Sequence, residues 1–239
     1  MRTSEKKLWV ERHLVVFYTN FQLIKKSNGN LFRVIAMTKF DAVKIRELVK
    51  PDRVHKDFYT SPEIFELEME RIFGRTWLFI GHASQVPNQG DYFTTTIAKQ
   101  PIIMSRHRDG QVHVMFNRCT HRGAQVCLEQ FGNTKRFECP YHAWVFNTDG
   151  GFAGAPYPKG YEEGFLEKED LDLVKIPRVA DYRGFIFGSL ARNGPDIFEF
   201  LGPMKDHIDA FVDRSPVGEV EACAGMFRYR FDANWKIQM

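Results

Sequence analysis

Cysteine is scarce in this chain, with four residues in 239. At 44% hydrophobic and 26% charged, the chain has the composition of an ordinary soluble domain and can bury a sizeable core without disulfide staples. No apolar run approaches the ~18–20 residues that crossing a bilayer requires. The N-terminal stretch has no sustained apolar segment and no small-residue cleavage pattern, so a secretory signal is not expected. It also lacks the twin-arginine pair that would export a folded protein. The expected compartment is therefore the cytoplasm. There is no repeat and no low-complexity segment. Excess charge is small and local. Residues 1–36 carry seven Lys or Arg against two Glu, a net +5, which leaves −2 over the other 203 residues. Such a body is not a nucleic-acid binder by charge. The charge break fits a start at Met37, with residues 1–36 as a basic leader outside the native protein. Histidine thins out as well, because after His142 only His207 follows.

What stands out against this background is a pair of short clusters, Cys119-Thr120-His121 and Cys139-Pro140-Tyr141-His142. The order is C-x-H, seventeen residues, then C-x-x-H. Each cluster offers one thiolate and one imidazole. Two soft thiolates suit an iron bound to bridging sulfide, and two neutral imidazoles suit a second, more reducible iron. Zinc fingers pair like with like, two Cys and then two His, so mixed clusters argue against zinc. A Cys119–Cys139 disulfide is disfavoured in a cytoplasmic setting. The remaining cysteines, Cys127 and Cys223, read as small apolar core residues.

The pattern along the chain is mainly β with flanking helices. Asp41–Val49 reads as a short helix stopped by Pro51. A second helix starts with Ser61 as N-cap and Pro62 at N1, carries Phe65, Met69, Ile72 and Phe73 on one face, and closes at Gly74 as a left-handed C′ residue. Strands are expected at Thr76–Ile80, Asp91–Ile97, Ile102–Ser105 and Val112–Phe116, with a hairpin turn at Asp109-Gly110. Arg136-Phe137 and Trp144–Phe146 flank the second ligand cluster. Each cluster is thereby expected at the tip of a β-hairpin. Leu173–Ala180 and Gly184–Leu190 read as a further hairpin. Residues 195–214 read as a helix broken at Gly202-Pro203, and Phe227–Trp235 as an opening strand.

The ligand spacing resembles the Rieske [2Fe–2S] motif, in which Cys119 and Cys139 would hold one iron and His121 and His142 the other. The surrounding segments Trp77-Leu78-Phe79-Ile80-Gly81-His82, Asn117–Gly123, Cys139–Trp144 and Asn234-Trp235-Lys236 resemble the N-terminal half of the large (α) subunit of aromatic-ring-hydroxylating oxygenases. The resemblance implies a helical lead-in at 37–75, a Rieske-type antiparallel β domain with two ligand-bearing hairpins at 76–190, and the start of an α+β, helix-grip-like catalytic domain at 191–239. It implies a mononuclear Fe(II) held by two His and one Asp, in a D-x-x-H-x-x-x-x-H pattern soon after Asn234-Trp235-Lys236. Met239 comes before any such pattern, so the chain is expected to hold the electron-delivery half alone. No catalytic residue is assigned within it.

The implied partners are a reductase or ferredoxin electron donor, and α-subunit copies in a homotrimer with or without a small β subunit. An aromatic substrate, benzoate- or salicylate-like, and O₂ would be taken by the longer protein. The other reading is a Rieske ferredoxin-like electron carrier without oxygenase activity. Relatives of high potential carry two further Cys where Ala124 and Tyr141 stand, and a Ser and a Tyr where Trp144 and Phe146 stand. Their lack here implies a low potential. Arg118 and Arg122 flank the first ligand pair as solvated loop arginines or as a docking rim. Gly123 is expected to spare the loop a crowding Cβ, and Gly154-Ala155-Pro156 resembles the third loop over the cluster.

Overall fold

Asp41 opens helix α1 (Ala42–Glu47) by accepting the Lys44 amide at 2.8 Å on its side chain. The expected helix to Val49 is two residues too long. Val49 and Lys50 form strand β1 (Val49–Lys50), which pairs with β2 (Arg53–Val54) around Pro51. A single turn, α2 (Asp57–Thr60), follows. Helix α3 (Pro62–Glu68) then runs into a π-helical turn over Met69–Phe73. Gly74 is not the left-handed cap expected of it, since its φ is −76°. Glycine is needed there for a different reason. The π-turn brings the chain so close that a Cβ would stand 2.7 Å from the Glu70 carbonyl oxygen.

This computed structural model describes residues 40–167, 169–222 and 231–238. The chain divides into two compact units, residues 1–64 and 65–239. The basic leader and Met37 lie outside the described residues, as do Cys223 and residues 227–230 of the expected last strand. Phe231–Asn234 carries no strand, and Trp235–Gln238 makes one 3₁₀ turn instead.

The second unit is built on antiparallel sheets. The central one has four strands in the order β6-β5-β4-β7: β4 (Asp91–Ile97), β5 (Gln100–Arg106), β6 (Val112–Phe116) and β7 (Phe131–Asn133). A three-stranded sheet, β11 (Arg178–Tyr182), β12 (Phe185–Ser189) and β3 (Trp77–His82), shares one core with it. A second three-stranded sheet, β8 (Arg136–Glu138), β9 (Val145–Asn147) and β10 (Phe152–Gly154), shares another. The run Ile102-Ile103-Met104 explains this layering. Side chains alternate across a strand. Ile102 and Met104 therefore pack with Ile80, Phe93 and Ile186 in the first core, while Ile103 packs with Phe137, Trp144 and Phe146 in the second. A strand buried on both faces has no polar side to show, so it reads as continuous apolar sequence.

Two expectations are corrected here. Leu173–Pro177 is not a strand, apart from an isolated bridge between Met115 and Lys175, and only Arg178–Tyr182 pairs with β12. More consequential is the first ligand cluster, which does not sit on a closed hairpin. β6 and β7 lie on opposite edges of their sheet, with β5 and β4 between them. The cluster rides on the loop that crosses from one edge to the other. Helices α4 (Ile197–Leu201) and α5 (Met204–Val212) break at Gly202-Pro203 as read from sequence, and His207 is exposed on α5.

Candidate metal centre

The two ligand loops close with the same backbone pattern. In the first, the Gly123 amide donates to the Cys119 carbonyl at 2.7 Å, and the Cys119 amide donates to the Ala124 carbonyl at 2.8 Å. In the second, the Ala143 amide donates to the Cys139 carbonyl at 2.9 Å, and the Cys139 amide donates to the Trp144 carbonyl at 2.8 Å. The residue four after each cysteine is left-handed, with φ of +75° at Gly123 and +53° at Ala143. A Cβ on Gly123 would meet nothing within 4 Å. The glycine is there for its dihedral, not for the crowding expected from sequence.

Buried Asn117 organises the crossing loop. Its Nδ2 donates to the Cys127 carbonyl at 2.7 Å, and its Oδ1 accepts the amides of Val126 and Cys127 at 2.9 and 2.8 Å. The Thr120 hydroxyl donates to the Leu171 carbonyl at 2.6 Å. Asn117 lies in the Asn117–Gly123 segment, where the sequence assigns it no role. Its signal was an amide side chain directly after an apolar strand, where three backbone groups need partners.

These loops bring the four residues together as two like pairs. Cys119 and Cys139 are both buried free thiols that interact directly. Burial pushes the Cys119 thiol up to about 11, the neighbouring Cys139 adds to this, and the amides of His121 and Arg122 aimed at its sulfur oppose it. The rings of His121 and His142 are 4.8 Å apart between centroids at 68°. Burial holds the His121 pKa below the usual histidine value, helped by the nearby charges of His142 and Arg122, so the imidazole is neutral near pH 7. His142 Nδ1 is buried with no hydrogen-bond partner among the described residues. Such an atom is normally satisfied.

Among the described residues no three His, Cys, Asp or Glu side chains converge to hold one ion. Paired ligands on two irons need no such triple. A pair of buried thiols and a pair of imidazoles on these two loops, one imidazole with an orphaned buried nitrogen, fit a [2Fe–2S] group.

Residues 76–177 match the Rieske [2Fe-2S] domain family. The chain is 44% identical over 187 residues to the large subunit of anthranilate 1,2-dioxygenase from Acinetobacter baylyi, covering 78% of this chain and 39% of that one. It is 39% identical over 189 residues to the α subunit of toluate 1,2-dioxygenase from Pseudomonas putida, covering 78% and 41%. Naphthalene 1,2-dioxygenase from Rhodococcus sp., solved with indole bound, superposes with a TM-score of 0.73 at 37% identity, covering 77% of this chain and 42% of that one. Over these stretches the chain is similar to the large and α subunits of Rieske ring-hydroxylating dioxygenases. It spans about two fifths of the length of these curated relatives, and it carries the Rieske [2Fe–2S] domain.

The remaining predicted residues of the Rieske domain fall around the same centre. Arg118 is half-buried and Arg122 exposed. Ala155 packs on the core that holds both cysteines, while Pro156 is exposed. Cys127 is buried as expected for an apolar core residue. Tyr141 is exposed and lies over the His142 ring at 3.8 Å between centroids.

Proposed function

We propose that this chain is the electron-transfer portion of an aromatic-ring-hydroxylating dioxygenase α subunit, with Cys119 and Cys139 on one iron of the cluster and His121 and His142 on the other. The observation that carries this is a buried thiol pair and an imidazole pair, each formed from the same two loops of matching backbone. When bound, the cluster supplies a one-electron store that can be filled and emptied without proton transfer to carbon or oxygen. The chain's own residues do the rest. The crossing loop, fixed by Asn117, and the β8–β9 hairpin present the four donor atoms. Burial keeps water from the thiols, and the imidazole edges lie nearer the surface than the sulfurs.

Residues 76–190 serve in this reading as the Rieske domain, 37–75 as a helical lead-in and 191–239 as the first part of a catalytic domain. In the longer protein a reductase or ferredoxin delivers electrons, and a mononuclear iron receives them and works with O₂ on an aromatic substrate. The names of the two curated relatives, anthranilate and toluate dioxygenases, support an aromatic acid as that substrate. Because both are large or α subunits, they support an oxygenase over a free ferredoxin-like carrier. The assembly in this reading is an α-subunit homotrimer, and the unpaired thiols support residence in the cytoplasm. Among the described residues no helix is long and apolar enough to cross a membrane.

Electron paramagnetic resonance of the anaerobically reduced chain tests the assignment. The expected signal is rhombic with imidazole nitrogen couplings, and Cys139→Ser is expected to lose both iron and sulfide. A reduced sample that stays silent despite full iron content would refute the reading.

A further inference from the structure

The ring of His121 is not fixed by any hydrogen bond among the described residues. Its orientation depends on packing, edge-on against His142 at 4.8 Å and face-on against Trp144. The indole lies almost parallel to the imidazole, at 7° with 4.7 Å between centroids. Face-to-face contact of this kind resists tilting but little opposes sliding or rotation within the plane. The indole itself must therefore be anchored.

Trp144 is 2% exposed, so its N–H cannot be left to water. It donates to the Tyr161 hydroxyl at 3.0 Å. Tyr161 is held in turn by stacking on Phe165, at 9° with 5.5 Å between centroids. Both belong to the stretch that follows the 3₁₀ turn Pro158–Gly160. Its neighbour Tyr157 is 87% exposed. One hydroxyl from this surface stretch thus holds the plane of the indole on which the imidazole rests.

We propose that Tyr161 is a positioning residue for His121, acting through Trp144. This rests on the reading that His121 is a cluster ligand. A metal-bound imidazole is usually oriented by an acceptor on its second nitrogen. Here a stacked ring pinned from behind takes that role. Removing the hydroxyl leaves a buried indole N–H unsatisfied, and the indole tilts to find a partner. The imidazole plane then turns with it.

The test is pulsed electron paramagnetic resonance of the full chain, cluster-loaded and reduced anaerobically. Tyr161→Phe is expected to retain iron and sulfide but to shift the nitrogen hyperfine coupling of one imidazole and not the other. Phe165→Leu is expected to shift the same coupling in the same direction by less. Tyr157→Phe, just before the turn, is expected to match the parent. A Tyr161→Phe spectrum that superimposes on the parent overturns the proposal, as does an equal shift in Tyr157→Phe. Should Tyr161→Phe fail to hold the cluster, a Phe165→Leu spectrum identical to the parent overturns it. A parent spectrum without imidazole nitrogen couplings would instead sink the ligand assignment, and the positioning role with it.

Discussion

Two side chains near the centre differ in chemistry because of what surrounds them. Cys127 is buried among apolar groups with no charge to favour its thiolate, and burial pushes its pKa up to about 12 from 9.0. At pH 8 a thiol with a pKa of about 12 is ionised in roughly 1 molecule in 10,000. Iodoacetamide at pH 8 is therefore expected to leave Cys127 unlabelled in the folded chain and to label it after unfolding, read by peptide mass spectrometry. The sign of the pH effect follows. The folded state holds the proton more tightly, so this contribution to stability is complete below pH 9 and is lost as pH rises towards about 12. Trp144 takes the place of a serine found in high-potential relatives, and its N–H is committed to Tyr161 rather than to sulfur. Fewer donors to sulfur disfavour the reduced cluster. The midpoint potential is expected in the lower part of the Rieske range of about −150 to +300 mV. A voltammetric midpoint above roughly +150 mV, well inside that range, contradicts this.

The two ligand loops form one design used twice, with a left-handed residue four positions after each cysteine. The first loop fills that position with glycine and the second with alanine. A side chain in the left-handed region costs about 1–2 kcal/mol. Ala143→Gly is therefore expected to raise stability by ~0.5–1 kcal/mol, since glycine also loses more entropy on folding. Gly123→Ala is expected to lower it by ~1 kcal/mol through strain alone, as its Cβ meets nothing within 4 Å. Urea unfolding of the two variants measures both, and equal signs would contradict the shared geometry. Asn117 illustrates why sequence falls short at this scale. Its position after β6 was visible, but its three bonds to residues 126 and 127 exist only once the crossing loop has folded back.

Among the described residues, the longest-range polar tie joins α3 to the Asn234-Trp235-Lys236 segment. The Glu68 carboxylate, 6% exposed, accepts from the Lys236 ammonium and from Trp235 Nε1, the latter at 2.9 Å. Phe73 meets the Trp235 ring edge-on at 5.1 Å. Breaking a buried ion pair from one side costs about 3–5 kcal/mol. Glu68→Leu alone is expected to cost that much, whereas Glu68→Leu with Lys236→Met should recover most of the loss. A double-mutant cycle by chemical unfolding checks this, and additive losses would show that the pair is not coupled. The polar patch around Arg183 is a contrast. Its contacts to Asp209 and Asp213 are solvent-exposed and are expected to matter little.

The sequence by itself determined the metal chemistry, the mainly β class and the broken helix after residue 195. Each depends on local spacing, on residue type or on a glycine-proline break, and none requires knowing which strands are neighbours. Only the tertiary structure decided that the first ligand loop crosses a sheet instead of closing a hairpin, that Gly74 serves a π-turn, and that Tyr161 stands behind Trp144. Strand order and side-chain neighbours depend on contacts between residues far apart in the chain. The alternation that makes a strand recognisable carries no record of which strand lies beside it.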